Sequence, residues 1–170
     1  VELLIYLPIT ALGQTIMTFT GQNAGAGNWK RVRKGTRNCV WMSMGLAAFT
    51  AMLCIPFGRG LFHIFNKEAS VIELGQQIIQ VTFPFYFLYP MLQIFGDSMR
   101  GVGRSKIPML IVLFNVCIVR TVLLFLIVPG HPVVRSVAAV YPVTWLLAGI
   151  GMFLYYSWFH KQREEGAAYD

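Results

Sequence analysis

Acidic side chains are few, seven Asp and Glu against fourteen Lys and Arg in 170 residues. No two of those carboxylates are placed for general acid–base work. Charge of either sign is scarce at 12 % of residues, where a soluble domain carries roughly a quarter. Together with 56 % hydrophobic and 14 % aromatic residues, that deficit excludes an ordinary soluble domain and places the chain among membrane proteins. The formal charge of +7 then reads as loop charge, and no nucleic-acid partner is expected. Cys39, Cys54 and Cys117 show no C-x-x-C spacing and have no nearby His, which argues against a zinc site or a disulfide framework. Each lies in or beside an apolar run and reads as a buried, inert thiol. His63, His131 and His160 stand at the ends of apolar runs or in loops, with no His four residues away, so no metal-binding helix is indicated. Ser98 and Ser105 lack a His/Asp pair. No catalytic residue, metal or cofactor is expected, and the chain does not read as an enzyme. Val1-Glu2-Leu3 has neither an initiator Met nor a basic leader region, so the chain reads as part of a longer protein.

What is present is a set of five apolar runs. They are expected to span a bilayer at about 3–20, 38–58, 74–96, 107–128 and 136–159, giving an all-α integral membrane protein whose partner is the lipid bilayer. The first carries Gln14 and Thr18 one helical turn apart, a polar stripe that faces other helices or a wet cavity. The second offers Ser43, Gly45, Ala47, Ala48 and Ala51 as a close-packing face. Residues 60–73 are too short and too polar to span and read as a short interfacial helix. The third holds Pro84 and Pro90, each of which removes a backbone donor and bends a helix. The fourth holds Arg120, an intramembrane charge within snorkelling reach of the Val128 end; packing against a carbonyl or a cavity is the alternative. Tyr155, Tyr156 and Trp158 close the fifth as an interfacial belt, and the polar tail from His160 is expected to fray.

The hinges between the runs set the orientation. Gly21–Arg37 contains Lys30, Arg31, Arg33, Lys34 and Arg37 with no acidic neighbour. A second basic hinge runs from Asp97 through Arg100, Arg104 and Lys106. With Lys161 and Arg163 of the tail, these ten cations fall on one side, and only Arg59, Lys67 and Arg135 on the other. That bias places the first set in the cytoplasm, with the C-terminus inside and Val1 outside, as in a multi-pass plasma-membrane protein. The glycines of the first hinge do not form a phosphate loop, because no Gly-Lys-Ser/Thr follows at the required offset and Lys30 stands where a third glycine would be needed.

Gly21-Gln22-Asn23-Ala24-Gly25-Ala26-Gly27-Asn28, followed by Lys30-Arg31-Val32, resembles the loop after the second helix of each half in multidrug and toxic compound extrusion (MATE) transporters. Met99-Arg100-Gly101-Val102-Gly103-Arg104-Ser105-Lys106 resembles that family's loop between its tenth and eleventh helices, and Tyr6-Leu7-Pro8 and Val119-Arg120 fit as well. The resemblance implies that residues 1–170 are part of the C-terminal lobe of a twelve-helix transporter, supplying helices eight to twelve. It implies secondary active export of organic, often cationic, compounds by Na⁺ or H⁺ antiport, with the N-terminal lobe and small organic substrates as partners. A lipid-linked saccharide flippase of the same wider group, or an inactive truncated fragment, is the alternative. Some family members carry an acidic cation-binding residue in the tenth helix, but residues 74–96 hold no Asp or Glu. Glu73 and Asp97 flank that run, so the coupling ion is expected to bind in the portion this chain lacks. Gln14, Thr18, Tyr86, Tyr89 and Gln93 remain as candidate lining of the substrate pathway.

Overall fold

Proline and glycine decide where these helices bend and stop. The computed structural model describes residues 2–65, 67–130 and 133–166, and no strand occurs among them. Helix α1 spans Leu3–Gly25 and α2 Trp29–Phe65. Helix α3, Ala69–Thr82, runs through a 3-10 segment, Phe83–Leu88, into α4, Tyr89–Gly101. Helix α5, Lys106–Leu113, runs through a π-helical turn, Phe114–Val119, into α6, Arg120–Ile127, and α7 spans Val134–Gly166. The composite helices yield five rods long and apolar enough to cross a bilayer: Leu3–Gly25, Trp29–Ile64, Ala69–Gly101, Lys106–Ile127 and Val134–Arg163. The chain is thus all-α and multi-pass. Pro84 opens the 3-10 segment and Pro90 the first turn of α4, so the two missing N–H groups tighten the helix over one stretch.

Three boundaries differ from the sequence expectation. The basic residues Lys30–Arg37 lie on the first turns of α2, because Lys and Arg are good helix formers whose long stems can carry their charges away from apolar surface. Residues 60–73 form no interfacial helix of their own. The 37 residues of α2 extend about 55 Å, longer than the hydrocarbon is thick, and α2 simply continues to Phe65; Lys67 and Glu68 then lie outside any helix and α3 begins at Ala69. The tail stays helical through Gly166, held where Arg163 stacks 4.8 Å from the Trp29 ring. Val1, Asn66 and His131 lie outside the described residues.

The core is organised around α4, which touches α1, α2, α5 and α7. Its stretch Ile94–Met99 is buried on every face. On α2 the buried residues Val32, Thr36, Val40, Ser43, Ala47 and Ala51 recur every three or four positions, one stripe of small side chains. Gly45 and Ala48 of the expected packing face are exposed instead, since they fall off that stripe. Helix α6 buries none of its residues, and α5–α6 leans mainly on α7.

Candidate functional site

Close approach of α1 to α4 creates the most polar part of the interior. Three glycines permit it. A Cβ on Gly13 would overlap the Asp97 carboxylate, one on Gly101 would overlap the Met17 carbonyl and the Thr20 hydroxyl, and one on Gly21 would lie 3.0 Å from the Gly101 carbonyl. Small residues of this kind let membrane helices pack backbone to backbone. The contact is pinned by hydroxyls. Thr20 Oγ1 donates to the Ser98 carbonyl at 3.2 Å, and the Thr36 and Ser98 hydroxyls are 2.8 Å apart, tying α1, α2 and α4 at one point.

Above that point α4 carries a row of polar side chains at successive turns. Tyr89 Oη donates to Gln93 Oε1 at 3.1 Å, and Gln93 Nε2 donates to Asp97 Oδ2 at 2.7 Å. Asp97 Oδ1 accepts from Arg100 Nη2 at 3.2 Å, where the Arg100 side chain is 44 % exposed and that of Asp97 7 %. Tyr6 of α1 and Tyr86 each stand 5.9 Å from the Tyr89 ring, and Trp145 of α7 packs 4.8 Å from Tyr86 and 5.9 Å from Tyr89. An aromatic box therefore caps a row that runs from a half-buried phenol and amide to a buried carboxylate. The expectation that Asp97 belongs to a hinge is corrected. It lies inside the third rod, with the boundary five residues later than expected, because Gly96 does not end the helix and Gly101–Gly103 do.

Of the candidate pathway residues, the structure brings Tyr86, Tyr89 and Gln93 together. Gln14 and Thr18 lie elsewhere, on the exposed face of α1, where the Thr18 hydroxyl donates to the Gln14 carbonyl at 3.2 Å. Asp97, Gly13 and Tyr6 were not among the candidates. The signal for Asp97 was in the spacing: Tyr89, Gln93 and Asp97 recur every fourth residue, one row of a helix that reaches past Gly96.

The two glycine-rich hinges turn out to be the same device. Asn28 N donates to the Asn23 carbonyl at 2.8 Å and Gly27 N to the Ala24 carbonyl at 3.0 Å; Arg104 N donates to the Met99 carbonyl at 2.8 Å and Gly103 N to the Arg100 carbonyl at 3.0 Å. Each pair is a Schellman stop, with the glycine at φ 73° (Gly27) or 79° (Gly103). Asn23 also donates from Nδ2 to the Phe19 carbonyl at 2.8 Å, while Gln22 and Gly25 are exposed.

Arg120 does not snorkel along α6. Its Nη2 donates to Thr144 Oγ1 of α7 at 3.0 Å, and its guanidinium carbon lies 4.5 Å from the centre of the Tyr141 ring. Two further expectations are revised. Cys117 is exposed rather than buried, while Asn115 is the residue its π turn buries. Tyr156 is buried against Phe95, at 5.0 Å, and leaves Tyr155 and Trp158 to stack at the surface. Among the described residues, no group of three or more His, Cys, Asp and Glu could hold a metal ion.

Comparison with known proteins agrees with this architecture. The family model described as MatE matches residues 1–126. The chain is similar to the "Probable multidrug resistance protein YoeA" of Bacillus subtilis, 21 % identical over 163 residues, covering 94 % of this chain and 35 % of that protein. It is similar to the "Probable multidrug resistance protein NorM" of Thermotoga maritima, 23 % identical over 128 residues, 75 % of this chain and 28 % of that protein. It is similar also to the "Probable multidrug resistance protein YpnP" of Bacillus subtilis, 27 % identical over 110 residues, 65 % of this chain and 24 % of that protein. The chain thus spans about a third or less of the length of these relatives.

Proposed function

The chain belongs to the MatE family, and from that premise we propose that it forms part of a membrane exporter that moves organic compounds, often cationic, against an inward flow of Na⁺ or H⁺. Multidrug resistance in the names of the relatives supports the substrate class. Helices eight to twelve of the C-terminal lobe are the part this chain supplies, and the remaining helices complete the pathway. The basic hinges and the C-terminus face the cytoplasm in this reading, as the distribution of Lys and Arg favours.

One observation carries the coupling part of the proposal: Asp97 is 5 % exposed inside the third rod. A coupled exporter needs a group that a small cation occupies in one state and leaves in another, and in a membrane a carboxylate serves because the cation cancels its charge. The sequence expectation located that group in the portion this chain lacks. Burial of Asp97 under Gln93 supports a share for this chain. Gln93 donates to the carboxylate from one side and Arg100 from the other, so the anion keeps hydrogen-bond partners when the cation has left. The aromatic box of Tyr6, Tyr86, Tyr89 and Trp145 offers π faces that suit an organic cation near the same row. A flippase would call for several cations on the spans facing a cavity, whereas Arg120 is engaged by α7.

In the complete transporter, Asp97→Asn is expected to lower gradient-driven efflux of a cationic dye at least about tenfold, the size of effect expected for one removed charge-assisted contact in a membrane, with normal expression. Arg100→Gln removes the ion pair and keeps the carboxylate, and should retain most efflux. Wild-type efflux in Asp97→Asn, or equal loss in both variants, would assign Asp97 a purely structural role.

A further inference from the structure

The row of Tyr89, Gln93 and Asp97 has a direction. Tyr89 Oη donates to Gln93 Oε1 at 3.1 Å, and Gln93 Nε2 donates to Asp97 Oδ2 at 2.7 Å, so both bonds run toward the carboxylate. That order suits an anion, which only accepts. The far end of the row then offers the lone pairs of the Tyr89 oxygen to the aromatic box, where Tyr6 and Tyr86 each stand 5.9 Å from its ring. Among the described residues, the titratable and charged groups facing Asp97 are Arg100 and Tyr89 on its own helix and Cys39 on α2. Helix α1 meets the carboxylate with Gly13, and α7 brings Met152 to the neighbouring Gly96. Helix α5 sets Pro108 and Met109 beside Arg100.

A proton on Asp97 upsets this order at one defined place. Arg100 Nη2 lies 3.2 Å from Oδ1, and a guanidinium has donors but no acceptor, so a hydrogen on Oδ1 finds no partner there. A hydrogen on Oδ2 meets Gln93 Nε2, another donor, at 2.7 Å. Turning the Gln93 amide over removes the conflict, because an amide carries its acceptor and its donors on one planar group. Asp97 O–H then donates to Gln93 Oε1, and Gln93 Nε2 donates to the Tyr89 oxygen. The Tyr89 hydrogen is thereby turned out into the aromatic box. The step balances simply: water delivers the proton, one O–H bond forms at Oδ2, and release reverses it. Na⁺ suits the place poorly. In membranes it is held by carbonyls of unwound backbone, whereas α4 is continuous helix over Tyr89–Gly101 and Arg100 already supplies a positive charge at Oδ1. We propose that Gln93 is a polarity switch between a proton on Asp97 and an organic cation in the aromatic box. With Asp97 ionised, Tyr89 shows the cation an oxygen; with Asp97 protonated, it shows a hydrogen and the cation leaves. The inference rests on the reading of Asp97 as the coupling group, and it assigns to that group a proton rather than Na⁺.

The test uses the complete transporter in detergent, titrated with tetraphenylphosphonium in weakly buffered solution containing a pH indicator. Wild type is expected to release about one proton per cation bound, and to bind about tenfold more weakly at about pH 6 than at about pH 8, a coupling of ordinary size. Gln93→Met keeps the length of the side chain and leaves Asp97 in place but has no amide to turn. It should still bind at the higher pH, with the pH dependence cut to about twofold, the direct effect of the Asp97 charge. Lost packing alone would weaken binding equally at both pH values. Tyr89→Phe keeps the ring and removes the hydroxyl that turns, and should behave as Gln93→Met does, which keeps the switch testable should Gln93→Met fail to purify. Wild-type pH dependence in either variant would overturn the switch while leaving Asp97 as the coupling group. Asp97→Asn should release no proton and bind at both pH values with the weak affinity that wild type shows at the lower one. Proton release from Asp97→Asn equal to that of wild type would overturn the reading of Asp97 itself. Competition by Na⁺ at constant pH, with no proton released when the organic cation binds, would overturn the proton as the coupling ion.

Discussion

Gly25 and Gly27 stand two residues apart in one hinge and do different things. Gly27 has φ 73°, a conformation that costs a side chain about 1–2 kcal/mol. Gly25 lies on the last turn of α1 with nothing within 4 Å of where its Cβ would be. The sequence marks both as glycines at a helix end, and their equivalence was the natural expectation; only the hydrogen bonds to the Asn23 and Ala24 carbonyls separate them. In the complete protein, Gly27→Ala should lower the midpoint of thermal unfolding in detergent, whereas Gly25→Ala should leave it unchanged or raise it, by the few tenths to about 1 kcal/mol that alanine gains over glycine in a helix. Equal destabilisation by both would show that the hinge needs flexibility rather than one left-handed residue. Asp97 illustrates the opposite limit. Its identity was plain, but a one-letter charge next to a glycine looks the same at the end of a helix and five residues inside it. The distinction rests on Gly13 of α1, a residue 84 positions away whose missing side chain makes room for the carboxylate.

Helix existence was legible from apolar runs, because a span must satisfy every backbone group within itself and needs about twenty apolar residues to do so. Helix texture was legible only in part. Pro84 and Pro90 announce the irregular stretch between α3 and α4, and the structure turns it into the 3-10 segment Phe83–Leu88. The π turn at Phe114–Val119 has no such herald, since neither proline nor glycine occurs in it. It immediately precedes Arg120, the charge whose destination decides how α6 sits on α7. A half-buried guanidinium with a hydroxyl and an aromatic face as partners is stable where the same group facing lipid is not. Thr144→Val removes the acceptor at 3.0 Å and Tyr141→Leu the ring at 4.5 Å. Each should destabilise the complete protein by about 1–2 kcal/mol, read as a lower unfolding midpoint in detergent. Arg120→Leu removes the charge together with its need for partners, and Thr144→Val placed on that background should cost much less. Additive losses would show that Arg120 and Thr144 act independently and that the charge is satisfied elsewhere.

At the scale of the whole chain, one end of the bundle gathers three of its basic segments. Arg163 stacks over Trp29, Arg104 lies 5.8 Å from the Phe159 ring, and the two Schellman hinges close the same region. The three basic segments identified by counting charge thus meet in space as well. Counting works because moving a Lys or Arg across hydrocarbon is costly, so charge partitions by side. It says nothing about lateral packing, where a lipid tail and a neighbouring helix are equally apolar; hence the peripheral place of α5–α6, with its exposed Leu113, Phe114, Phe125 and Leu126, was not legible. Which end faces the cytoplasm is a separate matter, testable in cells. In a complete transporter freed of Cys39, Cys54 and Cys117, single cysteines would be placed at Asn28, Lys67, Gly103 and Gly130, all exposed in the structure. A membrane-impermeant maleimide added to intact cells is expected to label positions 67 and 130 and to reach 28 and 103 only after permeabilisation. Labelling of 28 and 103 in intact cells, with 67 and 130 protected, would invert the orientation. It would also place the Asp97 end of the third rod toward the outer leaflet, where the positive charge of ten Lys and Arg would have to be explained by something other than the bias that sorts loops during insertion.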